Sequence, residues 1–204
     1  MKKQVIILDF DGVVVITEHL QLEYLNKKYG MNSKKEDYDH SLYLHENVNK
    51  LIGLDLSFEE FFEDFTKGYT MSKKIHDEAV PLRGAIEVIR EASKKYNFFI
   101  STMRNSLGSE VVKHVLHRHG ILPYFKGSHF VYRFDEHRNF VKVSKADFIS
   151  SFRGKAAFFV DDSHREIEDA KEVVPSIWLN DSSHKKMNGI WRAKNWSEIG
   201  DLIL

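Results

Sequence analysis

An apolar run that ends in carboxylates opens this chain: Val5-Ile6-Ile7-Leu8, then Asp9-Phe10-Asp11-Gly12-Val13. Four consecutive aliphatic residues between polar ones have the length and character of a strand buried on both faces, expected over Gln4–Leu8. Such a strand needs helices on either side, which restricts the chain to a layered α/β arrangement. The run also delivers acid to its own tip. Asp9 and Asp11 stand at i and i+2, on one side of an extended backbone. Two unpaired carboxylates at the mouth of an apolar strand repel each other and lose hydration, so something cationic is expected between them.

Four further runs of strand length follow at Asn97-Ser101, His129-Tyr132, Ala156-Val160 and Ser176-Leu179. Helical patterns at Ala85-Lys95 and Leu107-His119 lie between them; in the second, Leu107, Val111, Val115 and Leu116 share one face and are read as core. Strands alternating with helices predict an open, mostly parallel sheet. The alternation fails from about Thr17 to Glu78, where amphipathic helix signals at Leu20–Leu25 and Phe58–Phe65 replace strand patterns. This stretch is read as a helical insertion, the acidic-aromatic run near Phe58 as an ordinary solvated helix face. The insertion leaves through Val80-Pro81-Leu82-Arg83-Gly84, which has the turn chemistry of a hinge. The expected organisation is a core of residues 1–16 and 80–204 with an inserted unit at 17–79.

Composition narrows the classes further. A length of 204 residues with 42% hydrophobic content supports one substantial core and a smaller second unit. Thirty basic against thirty acidic side chains leave no global field to recruit nucleic acid or an anionic membrane. The absence of cysteine removes disulfides, thiolate nucleophiles and cysteine zinc sites, and fits a reducing cytoplasm. Lys2-Lys3 before an apolar run has the look of a signal peptide, but Asp9 and Asp11 interrupt it, and no other apolar stretch has the length of a membrane span. The expectation is a cytoplasmic protein with neither nucleic-acid nor membrane partner; its oligomeric state is not legible.

In open α/β sheets ligands bind outside the carboxyl ends of the strands. The tip after Phe98-Phe99-Ile100 offers Ser101-Thr102-Met103-Arg104-Asn105, with hydroxyls and backbone N–H groups suited to phosphate and with Asn105 or Ser106 as a helix cap. The tip after Ala157-Phe158-Phe159-Val160 offers Asp161-Asp162. Ser163 and Glu166 fit a capping box, which accounts for Glu166 but not for Asp161. Acid pairs at two neighbouring tips make a hard oxygen site suited to Mg2+ rather than zinc. Between these tips, Asn139–Asp147 supplies Lys142 and Lys145. Ser144 and Asp147 read as a capping-box variant, so a helix is expected to begin at Lys145, with Lys142 solvated.

The DFDGVV segment at Asp9–Val14 resembles motif I of the haloacid dehalogenase-like (HAD) superfamily; the Ser101–Asn105 tip resembles motif II, Lys145-Ala146-Asp147 motif III and Asp161-Asp162 motif IV. Asp11–Glu18, Pro81-Leu82-Arg83-Gly84-Ala85 and Gly120–Phe125 are similar to segments of its phosphoglycolate phosphatase and β-phosphoglucomutase branch. Ile16 in place of an acid, Val160 in place of a glycine, and a displaced second acid after Asp161 depart from that pattern. The resemblance implies a Rossmann-like parallel sheet of order 5-4-1-2-3, flanked by helices and carrying an α-helical cap. It implies a Mg2+-dependent phosphatase acting on a small phosphate monoester through an aspartyl phosphate. Asp9 would be the nucleophile and Asp11 the acid and base. Asp9, the backbone carbonyl of Asp11 and Asp161, with Asp162 nearby, would hold Mg2+. Thr102, with Ser101 as the alternative, would bind phosphate together with Met103, Arg104 and Lys145. Because dehalogenases lack the second aspartate, Asp11 favours a phosphate ester over a haloacid. A sugar phosphomutase and a catalytically silent HAD-like binding protein are the alternatives. A receiver-type signalling module also uses these residue types, but places its acid pair early in a chain about half as long. Cap residues such as His19, Tyr43, His45 and Asn47 form no recognisable substrate pattern.

Overall fold

The computed structural model describes residues 3–39, 42, 44–134, 140–152, 154–179 and 189–204; Tyr43 and Asn139 lie outside them. Strand β1 (Gln4–Leu8) leads through the short β2 (Val15–Ile16) into α1 (Glu18–Tyr29), α2 (Leu44–Ile52), α3 (Phe58–Phe65), a π-helical segment (Thr66–Thr70) and α4 (Lys73–His76). The chain returns through β3 (Val80–Pro81) and continues as α5 (Ala85–Ala92), β4 (Tyr96–Asn105), α6 (Ser109–Arg118), β5 (Phe125–Phe134), β6 (Phe140–Lys142), α7 (Lys145–Ser150), β7 (Ala156–Asp161), α8 (His164–Ala170), β8 (Ser176–Leu179), β9 (Ile190–Ala193) and α9 (Trp196–Ile203).

Seven strands form one sheet in the order β6-β5-β4-β1-β7-β8-β9, parallel throughout except where β6 pairs with β5. The five strands read from the sequence run 5-4-1-2-3 inside it, and one short strand extends each edge. Residues alternate across β1 as a doubly covered strand requires. Ile6 and Leu8 join Ile89, Val112, Val115, Ile199 and Ile203 from α5, α6 and α9 on one face. Val5 and Ile7 join Ile149, Ile167 and Ala170 from α7 and α8 on the other.

Two sequence readings need correction. Leu107 is exposed, because Ser106–Gly108 forms a 3-10 turn whose first free N–H, that of Leu107, is capped by the Asn105 side chain; α6 starts only at Ser109, and Leu107 falls outside its period. The run near Phe58 is solvated only on its acidic side. Phe61 is buried with Leu25 and Val48 in a core belonging to the insertion, while Phe58 and Phe62 approach Tyr132 of β5 with ring centroids 6.4 and 6.0 Å away.

The insertion is joined to the sheet by a two-stranded antiparallel ribbon, Val15 opposite Pro81 and Ile16 opposite Val80. It is also docked on the sheet beyond that ribbon, where Asn105 Nδ2 of β4 donates to Thr66 Oγ1 at 2.6 Å. Within the insertion, the Tyr69 hydroxyl donates to the Thr17 carbonyl at 3.3 Å. His76, fully buried, donates from Nδ1 to the Ser72 carbonyl and lies against the Tyr69 ring at 4.7 Å. No helix among the described residues is long and apolar enough to cross a membrane.

Two stability measurements follow. Trp196 is fully buried and donates from Nε1 to the Val13 carbonyl at 2.7 Å, tying the last helix to the loop after β1. Trp196→Phe leaves that carbonyl unpaired and the site underfilled, and is expected to cost about 2–3 kcal/mol in chemical denaturation. Burial, with the positive Arg104 nearby, holds His76 down at about 4, and burial with Arg133 nearby does the same for His129. The unfolded chain therefore binds protons that the folded chain refuses. The His76 share of stability is full above about pH 6.5 and is lost as pH drops toward 4, by up to about 3 kcal/mol, while the raised acids Asp9 and Asp162 act in the opposite sense across the same window. The measurable quantity is therefore a difference: between about pH 6.5 and 4, the denaturant midpoint of His76→Phe should gain on that of the unaltered protein.

Candidate active site

Asp9 immediately follows β1, and its backbone N–H donates to the Val160 carbonyl at 2.9 Å, so the register of β1 with β7 carries past the end of the strand. That pairing brings the two acidic tips together. Asp9 is buried and Asp161, the last residue of β7, is wholly so. Between them lies the ammonium of Lys145, 3.0 Å from Asp9 Oδ1 and 2.7 Å from Asp161 Oδ2. Lys145 is only 1% exposed. It opens α7, where Ser144 is the N-cap and accepts from the Asp147 N–H at 3.0 Å. Burial alone would strip the proton from Lys145, but Asp161 and Asp9 more than offset it and hold the ammonium charged. Lys142 is exposed and sits above the Tyr132 ring instead.

The two acids of the β7 tip have different surroundings. Asp161 uses both oxygens within the protein: Oδ2 takes Lys145, and Oδ1 accepts from the Ser163 N–H at 2.8 Å. That bond displaces the expected capping box, since the Ser163 side chain caps nothing and Glu166 lies half-buried within the field of Lys145. Asp162 is the more open residue, yet its carboxylate is turned back against Gly12, where an added Cβ would stand 2.2 Å from Oδ2. Gly12 also has φ +74°. Burial raises the Asp9 carboxyl; Lys145 opposes it, and the neighbouring acids Asp161, Asp162 and Asp11 add to the rise. Although Asp162 is exposed as a residue, its carboxylate loses water where it folds back on Gly12, and this together with the neighbouring Asp161 pushes it up to about 7.

Asp11 has its own cation. Arg104 grips it with two bonds of 2.8 Å, Nε to Oδ2 and Nη2 to Oδ1, and the Thr17 hydroxyl donates to Oδ1 as well. Burial would raise Asp11, but Arg104 and these hydrogen bonds hold it below the usual carboxylate range. Phosphate was the expected partner of Arg104; its side chain faces Asp11 instead. Thr17 precedes α1 but caps nothing, because its hydroxyl is engaged at Asp11.

On β4, Ile100 pairs with Leu8, so Ser101 and Thr102 flank the level of Asp9. Ser101 is bonded to His129 Nδ1 at 2.9 Å, and His129 stacks flat on Phe148. Thr102 is buried and accepts from the Arg104 N–H at 3.2 Å, while Met103 is partly exposed beside it. The structure thus gathers Asp9, Lys145, Asp161 and Asp162 at one place, with Thr102 and Met103 on the adjoining tip and Asp11 held to one side by Arg104. Thr17 and Tyr69 had no sequence signal beyond a helix start and an aromatic in a helical run.

The donor set suits a metal ion. Oxygens of Asp9, Asp161 and Asp162 lie within 4.8 Å of one another, the one such group among the described residues. All donors are carboxylate oxygen, the preference of a hard cation such as Mg2+. A single ammonium facing these acids leaves net negative charge in a buried space, which a divalent cation would neutralise.

The chain matches no protein-family model and no curated protein sequence. Solved structures do match it along nearly its whole length. A haloacid dehalogenase-like family hydrolase from Streptococcus pneumoniae superposes with a TM-score of 0.69 at 17% identity, over 99% of each chain. The fold is that of the haloacid dehalogenase-like hydrolases. A candidate HAD-hydrolase from Bacillus subtilis with magnesium bound gives 0.65 at 14% identity, over 100% of this chain and 99% of that one. A candidate phosphoglycolate phosphatase from Lactobacillus plantarum gives 0.69 at 14% identity, over 99% and 100%.

The contact at Gly12 is measurable. Gly12→Ala should lose about 1–2 kcal/mol from the left-handed backbone alone, a Tm fall of roughly 2–8 °C for a chain of this size. Gly30 has φ +64° with nothing within 4 Å of an added Cβ. Gly30→Ala therefore reports the backbone part only, and the greater Tm loss at Gly12 reports the displacement of Asp162.

Proposed function

We propose that this protein is a Mg2+-dependent phosphatase that hydrolyses a small phosphate monoester through an aspartyl phosphate on Asp9. The observation that carries the reading is the clustering at one strand tip of Asp9, the buried Lys145 and the pair Asp161-Asp162, with a second aspartate two residues after Asp9. Residues 1–16 and 80–204 would be the catalytic core and 17–79 its cap. What supports that division is the contact of Tyr69, within 17–79, with the guanidinium that grips Asp11.

In the first step an Asp9 oxygen forms a bond to phosphorus as the ester P–O bond breaks, and Asp11, which must first leave the Arg104 fork that holds it ionised, would give a proton to the departing oxygen. In the second, Asp11 takes a proton from water as the water oxygen attacks phosphorus; the acyl phosphate bond breaks, releasing inorganic phosphate and the Asp9 carboxylate. Lys145 lies where it can pair with phosphoryl oxygens on Asp9, and Thr102 with the Met103 N–H would orient them. Asp9, Asp162 and the backbone carbonyl of Asp11 would hold Mg2+, which when bound supplies neutralisation of phosphoryl charge. Asp161, whose oxygens are committed to Lys145 and Ser163, would support the site from behind.

The test is phosphate release with Mg2+ across phosphorylated sugars, glycolate, nucleotides and cofactors. Asp9→Asn should abolish release on every accepted substrate. Asp162→Asn should raise the Mg2+ concentration needed for half-maximal rate by about tenfold or more, the scale of losing a supporting metal contact. Asp161→Asn should act mainly on kcat and stability. Substantial turnover by Asp9→Asn would overturn the reading.

A further inference from the structure

Trp178 does something in β8 that an aliphatic residue could not. It stands opposite Asp161 in the pairing of β7 with β8 and is 4% exposed, within the core that contains Val5, Ile7 and Ile167. Packing alone asks only for a large apolar side chain there. The indole also carries a donor, and Nε1 gives its hydrogen bond to the Asp162 carbonyl at 2.9 Å. The Ser163 N–H, the other polar end of the same peptide unit, donates to Asp161 Oδ1 at 2.8 Å. One peptide plane is therefore held from both sides, by the adjoining strand and by a carboxylate already bonded to Lys145. The ring that supplies the donor is itself confined: the Arg192 guanidinium lies over it at 5.4 Å, and the His164 ring meets it edge-on at 5.2 Å.

Fixing that plane fixes the backbone from which the Asp162 side chain departs, and its carboxylate comes to rest against Gly12, beside Asp9 and Asp161. We infer that Trp178 is a positioning residue for the cation site, acting through the backbone of Asp162, so that one indole N–H adds to metal affinity without touching the metal. The inference rests on the reading of Asp162 as a Mg2+ ligand given above. Outer partners of a ligand act in this way by removing freedom that the ligand would otherwise lose on binding. A tryptophan that served packing alone would support the fold and leave the affinity for a cation unchanged.

The measurement is binding of Mn2+, a hard cation that takes the same oxygen donors as Mg2+. Free Mn2+ is followed by its paramagnetic resonance signal, and displacement by Mg2+ marks the site. Trp178→Phe removes the donor and keeps an aromatic ring, and should weaken Mn2+ binding roughly 10- to 100-fold. The benzothiophene analogue of tryptophan at position 178 keeps the fused ring and puts sulfur in place of N–H. It should weaken binding while holding the fold, and it decides the matter if Trp178→Phe does not fold. Trp191→Phe, on the adjoining strand and 44% exposed, should leave binding unchanged. In an Asp162→Asn background the loss of the indole should add nothing, since no charged carboxylate is left to direct. Unchanged Mn2+ affinity in the benzothiophene analogue, or losses that multiply in the Asp162→Asn background, would overturn the assignment. So would failure of the unaltered protein to bind Mn2+. If it binds Mn2+ but releases phosphate from no ester, the phosphatase reading fails instead, and the assignment is judged on the binding constants alone.

Discussion

One ammonium, that of Lys145, lies at the centre of the site, and the surrounding fold is what keeps it there. A lysine 1% exposed would shed its proton in an apolar setting, and it stays charged because Asp9 and Asp161 stand within 3.0 Å. Asp9 is in turn a buried acid, raised by its burial, that Lys145 pulls back toward its charged form. Neither side of the arrangement is stable alone, so the strands that bear the acids and the helix that bears the cation must meet in one register. The parallel pairing of β1 with β7 provides it, and the Ser144 cap sets where α7 begins.

This interdependence explains what could be read in advance. Strands β1 and β8 have the limits that their apolar runs suggest, because strands covered on both faces carry an unbroken aliphatic signal. The edge strands β6 and β9 gave none: Phe140-Val141-Lys142 is three residues long, and Ile190–Ala193 mixes polar and apolar residues as an edge permits. Lys145 could be preferred over Lys142 because its local capping chemistry is short-range. The grip of Arg104 on Asp11 could not be seen, since it joins residues 93 apart whose meeting depends on how β4 runs beside β1. Glu166 was misread for a related reason. A capping box and a turn closed by Asp161 compete for the same Ser163 N–H, and the buried carboxylate, already fixed by Lys145, wins it.

The adjacent acids of the β7 tip show how two neighbouring residues acquire different environments. Successive side chains leave an extended backbone on opposite sides. Asp161 therefore turns into the protein toward Lys145, while Asp162 turns toward Gly12 and the mouth of the site.

The contacts among Thr17, Asp11, Arg104 and Tyr69 bear on how such an insertion can change. Both of its ends are fastened beside the carboxylates before the chain departs and after it comes back. The helices from Glu18 to Phe65 carry a small apolar core of their own, Leu25, Val48 and Phe61. Their length and content can therefore vary as a separately packed unit without disturbing the contacts that fasten its two ends.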